Sequence, residues 1–94
     1  MPTESPLPKF SLGQIVITSN ALSVLTHDDI PPALHRHAVG DWGELDAEDK
    51  RANDLALVDG SRLLSAYRSV QDVKFWIITE ADRSITTVLL PEDY

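Results

Sequence analysis

The chain has 94 residues, and 43% of them are hydrophobic, which fits one small domain with a single modest core. Its 15 acidic and 8 basic residues give a formal charge of −7, so direct binding to nucleic acid is not expected. The chain has no cysteine, which excludes disulfides, thiolate metal sites and cysteine nucleophiles.

The N-terminal residues predict a tail, then a strand and a short helix. Three prolines within residues 1–9 indicate a flexible or extended segment, so a single folded domain is expected over residues 10–94. Residues 10–18 contain a run of β-branched side chains that is typical of a strand. Ser19 and Asn20 are favourable N-cap residues, and they predict a short helix directly after this strand.

A second helix is predicted over residues 33–39. Acidic residues and prolines precede it, and Gly40 follows its end. Because His35 and His37 are two positions apart, they would point in different directions on a helix and could not share a metal ion. We therefore expect no metal site here, and we interpret both histidines as residues that favour the negative end of the helix dipole.

A longer helix is predicted over residues 47–58. Asp46 and Asp49 have the spacing of a capping box, and Gly60 follows the end of the helix. Acidic residues in its first turn suit the helix dipole. The predicted buried stripe consists of Ala52, Leu55 and Ala56, and the predicted solvent side includes Asn53.

The last third of the chain predicts three antiparallel strands, over residues 62–70, 73–80 and 85–90. Aromatic and β-branched residues dominate these segments, and the short turns between them require antiparallel neighbours. Trp76, in the second of these strands, and Trp42, in the loop before the long helix, are both expected to be largely buried. The predicted class is α+β: a short N-terminal strand and two or three helices packed on a C-terminal antiparallel sheet of three or four strands.

Negative charge is concentrated between Asp41 and Asp59. Seven acidic and two basic residues in this segment give −5 of the total −7. An array of carboxylates on a capped helix can imitate a row of phosphates towards a basic partner, although ordinary solubility explains most charged helix faces. The candidate partner-binding residues are Glu44, Asp46, Glu48, Asp49 and Asp54.

An alternative is a small hydrolase or a ribonuclease-like toxin built on the C-terminal sheet. Its candidate residues would be His35, His37, Glu80, Asp82 and Arg83. Acids, bases and hydroxyls that crowd a β-turn more often stabilise the turn itself, and the negative net charge disfavours an RNA-cleaving surface. We assign no catalytic residue, and we expect no cofactor.

Three stretches of sequence resemble those of a known family. They are residues 36–45, Ser65-Ala66-Tyr67-Arg68 and residues 76–84, and the last of these runs on to Leu89-Leu90-Pro91-Glu92. Together they resemble a family of short proteins of bacterial plasmids and integrative elements, some of which are labelled plasmid-related or restriction-subunit proteins. The family has no activity to carry over. The resemblance implies a mobile-element setting, in which small acidic proteins sometimes blunt host defence nucleases.

The sequence thus favours a small acidic, non-enzymatic protein whose partner is a protein with a basic surface. The most specific version of this hypothesis is a counter-defence inhibitor, directed against restriction or CRISPR nucleases, that occludes a basic nucleic-acid-binding surface. An antitoxin-like regulatory partner is a further alternative. The N-terminus does not resemble a secretory signal, and no apolar run approaches the roughly 20 residues of a membrane span, so we expect a cytoplasmic protein that does not enter membranes.

Overall fold

The computed structural model describes residues 7–94, so most of the tail predicted for residues 1–9 lies outside the described residues. The described residues form three α-helices and one four-stranded sheet, which confirms the α+β class. The elements in chain order are β1 (Gln14–Ile17), α1 (Ser19–Val24), α2 (Ile30–Ala38), α3 (Ala47–Asp59), β2 (Leu63–Arg68), β3 (Lys74–Thr79) and β4 (Ile85–Leu89), followed by a 3₁₀ turn (Pro91–Asp93).

The sheet has the strand order β1-β4-β3-β2. Strands β2, β3 and β4 form the predicted antiparallel meander, and β3 is internal, as its apolar residues on both faces indicate. The fourth strand is β1, which pairs with β4 in parallel, so the complete sheet is mixed rather than antiparallel. Parallel pairing is possible because the connection from β1 to β4 passes through all three helices and two other strands.

The main core lies between the helices and one face of the sheet. Side chains alternate along each strand, so every second residue of β2, β3 and β4 points to this face. The strand residues of this core are Tyr67, Phe75, Ile77 and Val88, and the helical residues packed on them include Ala21, Ile30 and Ala33.

The outer edge of β2 is closed by hydrogen bonds from the rest of the chain. The side-chain amide of Asn53 donates to the carbonyl of Leu64 (2.7 Å), and its oxygen accepts from the Leu64 amide (3.2 Å). Two residues further along, the Ala66 amide donates to the Trp42 carbonyl (3.2 Å), and the Glu44 amide donates to the Ala66 carbonyl (2.7 Å). These bonds occupy backbone groups that an open edge would leave free for another chain.

The buried face of α3 differs from the predicted one. Ala56 is buried as expected, but Leu55 is 62% exposed, and Asn53 is only 6% exposed. The predicted apolar stripe of Ala52, Leu55 and Ala56 is therefore wrong. The physical reason is that Asn53 makes two hydrogen bonds to the edge of β2, and this rotates the helix so that Leu55 faces solvent.

The two tryptophans have different environments. Trp42 is 3% exposed, which confirms its predicted burial in the loop before α3. Trp76 is partly buried, and it is therefore more exposed than Trp42. It lies on the sheet face opposite to that of Phe75 and Ile77, where its ring meets the Tyr94 ring edge-on at 5.8 Å.

The packing of α3 leads to a test by truncation. Asn53→Ala should lower the free energy of unfolding by about 2 kcal/mol, because it leaves two backbone groups of Leu64 without their partners. Leu55→Ala should change it by less than about 0.5 kcal/mol, because this side chain is mostly in solvent. Urea denaturation followed by circular dichroism measures both. A Leu55→Ala loss in the roughly 2–5 kcal/mol range of core leucines would contradict this orientation of α3.

Candidate partner-binding surface

Helix α3 carries most of the predicted site, and both of its ends are fixed. At its start, Asp46 accepts a hydrogen bond from the Asp49 amide (2.8 Å), so the predicted N-cap is confirmed. At its end, Gly60 has the left-handed φ of 79° that closes a helix, and Arg83 donates to the carbonyl of Ala56 (3.1 Å). The acidic residues of α3 are therefore held on a well-anchored element.

Three of the five predicted partner-binding residues have structural contacts of their own. Glu44 pairs with Arg68 across 2.9 Å, and Asp46 caps α3. Asp54 accepts a hydrogen bond from the indole nitrogen of Trp42 (3.0 Å). Each of these three carboxylates therefore has a role within the fold itself.

Glu48 and Asp49 differ from the other three. Both residues are exposed, and neither carboxylate has a hydrogen-bond or ion-pair partner within residues 7–94. Both lie in the first turn of α3, where the helix dipole favours negative charge. They are the part of the predicted set that stays available to another molecule.

A shallow groove of about 220 Å³ opens beside Asp49. Its lining residues are Leu45, Asp49, Ala52, Asn53 and Leu64. The amide of Asn53 already binds the backbone of Leu64, so the groove offers an apolar floor with one available carboxylate at its rim. Lysine and arginine side chains suit this arrangement, because each has an apolar stem and a charged end.

His37 and His35 have different environments. His35 is exposed, whereas His37 is completely buried between Ser65 and Thr79. Its Nδ1 lies 2.5 Å from the Ser65 hydroxyl, and its Nε2 lies 2.9 Å from the Thr79 hydroxyl. Burial, and then the charge of Arg83, lower the pKa of His37 to about 4. The expectation that His37 favours the helix dipole is therefore wrong, since the ring is neutral at pH 7.

Asp82 and Arg83 of the hydrolase alternative also have structural contacts. Asp82 accepts hydrogen bonds from both the amide and the hydroxyl of Ser84, and these bonds hold the pKa of Asp82 below its usual range. Arg83 donates to backbone carbonyls, including that of Ser61 (2.6 Å). Because His37 has no access to solvent, the predicted set does not form one accessible catalytic site.

Within residues 7–94, no three histidine or carboxylate side chains lie close enough together to hold a metal ion. In the same part of the chain, no helix has the length and apolarity needed to cross a membrane. No protein-family model, curated protein or solved structure matches the sequence or the fold.

The burial of His37 predicts a specific pH dependence. The unfolded chain binds a proton at the ordinary pKa of about 6.5, whereas the folded chain binds it only near pH 4. The contribution of His37 to the free energy of unfolding should be fully present above pH 6.5. The free energy of unfolding should fall by about 3 kcal/mol as the pH drops to 4. Urea denaturation at pH 7, 5.5 and 4 measures this loss, and His37→Gln should abolish the part of it between pH 6.5 and 4.

Three carboxylates with lowered pKa values titrate in a different pH range from His37, so their effects can be separated from its effect. Hydrogen bonds lower the pKa values of Asp29, Asp41 and Asp93 below 3.8, so their contributions are lost at lower pH than that of His37. An NMR titration of the imidazole gives an independent measurement if His37→Gln folds poorly. A His37 ring that is protonated in the folded protein at pH 5.5 would contradict the prediction.

Proposed function

We propose that the protein is a non-enzymatic binding protein that holds a basic protein surface against the first turn of α3. The observation that carries this proposal is the pair of exposed carboxylates, Glu48 and Asp49, beside an apolar groove. Neither carboxylate has a hydrogen-bond or ion-pair partner within the described residues, unlike those of Glu44, Asp46 and Asp54. The contact set of the proposed surface is therefore Glu48, Asp49 and the groove floor.

The groove indicates how a partner would dock. A lysine or arginine side chain would lay its stem on Leu45, Ala52 and Leu64 and place its charge against Asp49. The other carboxylates of the segment would attract basic residues around this anchor, even where their own hydrogen bonds are internal. Long-range attraction of this kind mainly raises the association rate and weakens with salt.

The proposed biological role is counter-defence on a mobile element. Restriction and CRISPR nucleases hold nucleic acid on basic surfaces, and a compact carboxylate surface can occupy such a surface in place of phosphates. The resemblance to proteins of plasmids and integrative elements supports this setting. In this role the protein would block access of nucleic acid without carrying out a reaction.

Charge reversal on α3 tests the proposal. Affinity capture from a host lysate, followed by mass spectrometry, identifies a partner, and association rates are then measured with the purified partner. The double variant Glu48→Lys, Asp49→Lys should associate at least about tenfold more slowly at low salt, and the difference should shrink as salt rises. The variant should keep the parent's circular dichroism spectrum, because the helix dipole is worth only about 0.3–1 kcal/mol per charge.

The matched control reverses two other exposed acids, Asp28 and Glu92, which lie outside α3 and its groove. The control has the same net charge as the test variant, so a loss confined to the α3 variant assigns binding to this surface rather than to total charge. If the partner associates with the α3 variant as fast as with the parent at low salt, Glu48 and Asp49 serve solubility alone.

A further inference from the structure

The two edges of the sheet differ in whether their outward backbone groups are hydrogen-bonded. Asn53, Trp42 and Glu44 close the edge formed by β2. The other edge is β1, and its amides alternate in direction. The amide of Gln14 donates to the carbonyl of Ser84, just before β4, and the amide of Thr18, just after β1, donates to that of Val88 in β4. The backbone groups of the alternate residues therefore point away from the sheet.

These outward groups belong to Ile15 and Ile17. Neither residue makes a hydrogen bond outside the β1–β4 pairing within residues 7–94. The strand also lacks the charges and prolines that commonly protect an edge, since its sequence is Gln-Ile-Val-Ile. Ile15 and Val16 point to opposite faces of the sheet, and each is 39% exposed. The edge thus offers both free backbone groups and apolar side chains.

The open edge also lies in the least charged part of the chain. Residues 10–26 contain no Asp, Glu, Lys or Arg, although 24% of the whole chain is charged. The same stretch includes α1, where Leu22 is 63% exposed. Asp93 reaches this stretch, but its carboxylate is held by Thr18 (2.6 Å) and Asn20 (2.7 Å). Two copies of an acidic protein could approach each other here with little repulsion.

We propose that β1 pairs antiparallel with β1 of a second copy of this chain, so that the two sheets become one. An antiparallel contact between identical strands is compatible with two-fold symmetry. Centred on Val16, it would place Ile15 of one copy opposite Ile17 of the other, and the reverse. The outward amides and carbonyls would then all be bonded, and the two Val16 side chains would meet in a close, non-hydrogen-bonded pair.

The small size of the contact indicates that the dimer is weak. The strand has 4 residues, so the contact is smaller than a standard interface of about 1,600 Å². A weak dimer is therefore expected, and a dissociation constant of roughly 10–100 μM is the range to test. Sedimentation equilibrium over a concentration series spanning this range should show a monomer–dimer transition in the parent protein.

Lysine substitutions test the location of the contact. Val16→Lys should weaken the dimer at least about tenfold, because two like charges would face each other across the pair. Val58→Lys is the matched control, since Val58 is 87% exposed on α3, which packs against β2 at the opposite edge of the sheet. It should dimerise like the parent. A parent that is monomeric at about 1 mM, or a Val16→Lys protein that dimerises as the parent does, overturns the proposal.

Cross-linking gives a second measurement that does not depend on the folding of Val16→Lys. The chain has no cysteine, so Val16→Cys and Val58→Cys each introduce a single thiol. The Cβ separation in the proposed pair is about 4.5–5.5 Å, close enough for a disulfide after a small adjustment. Under mild oxidation, Val16→Cys should form a covalent dimer much faster than Val58→Cys. Equal rates for the two variants would refute pairing at β1.

Discussion

A neutral imidazole at the centre of the domain connects its secondary-structure elements. His37 of α2 contacts the hydroxyl of Ser65 in β2 and that of Thr79 in β3. Thr79 continues the chain of hydrogen bonds to Thr86 in β4 (2.7 Å), and Thr86 donates to the carbonyl of Leu12, just before β1 (2.6 Å). Helix α2, the strands β2, β3 and β4, and the segment just before β1 are thereby tied together. The arrangement tolerates burial because every polar group has a partner, and it depends on an uncharged ring.

The same imidazole organises the aromatic residues that support α3. The ring of Phe10 meets His37 edge-on at 5.2 Å, and the ring of Trp42 meets it at 5.7 Å. Trp42 then binds Asp54 on α3 through its indole nitrogen. The position of the acidic helix, and with it the proposed partner-binding surface, therefore follows from the core. His37 in the core and Asp54 on the surface are thus connected through Trp42.

The sequence predicted those elements whose signals are local. Short turns and β-branched residues indicated the meander of β2, β3 and β4, and Asp46 with Gly60 marked the ends of α3. The parallel partner of β1 could not be predicted, because it lies near the other end of the chain and no local pattern indicates parallel pairing. The sequence predicts Asn53 on the solvent side of α3. Its burial could not be predicted, because its two hydrogen bonds to the edge of β2 depend on tertiary structure.

His37 and the carboxylates show the same limit at the candidate site. A signal for the burial of His37 did exist, since Ile30, Ala33 and His37 follow the three- and four-residue spacing of one helix face. Its polarity, however, favoured an exposed position. The acidic residues were grouped by charge, which does not separate those that cap or pair, such as Asp46, from those that remain available, such as Glu48. Only the contacts make that division.

The two proposed contact surfaces lie at opposite edges of one sheet. Helix α3 closes the edge at β2, and β1 forms the other edge, with β3 and β4 between them. A dimer formed through β1 would therefore leave both acidic surfaces free and place them at its two far ends. Such a dimer could hold a partner that repeats its basic surface, because binding at one end raises the effective concentration at the other. The modest strength of each contact would then be compatible with tight binding to a dimeric or repetitive partner.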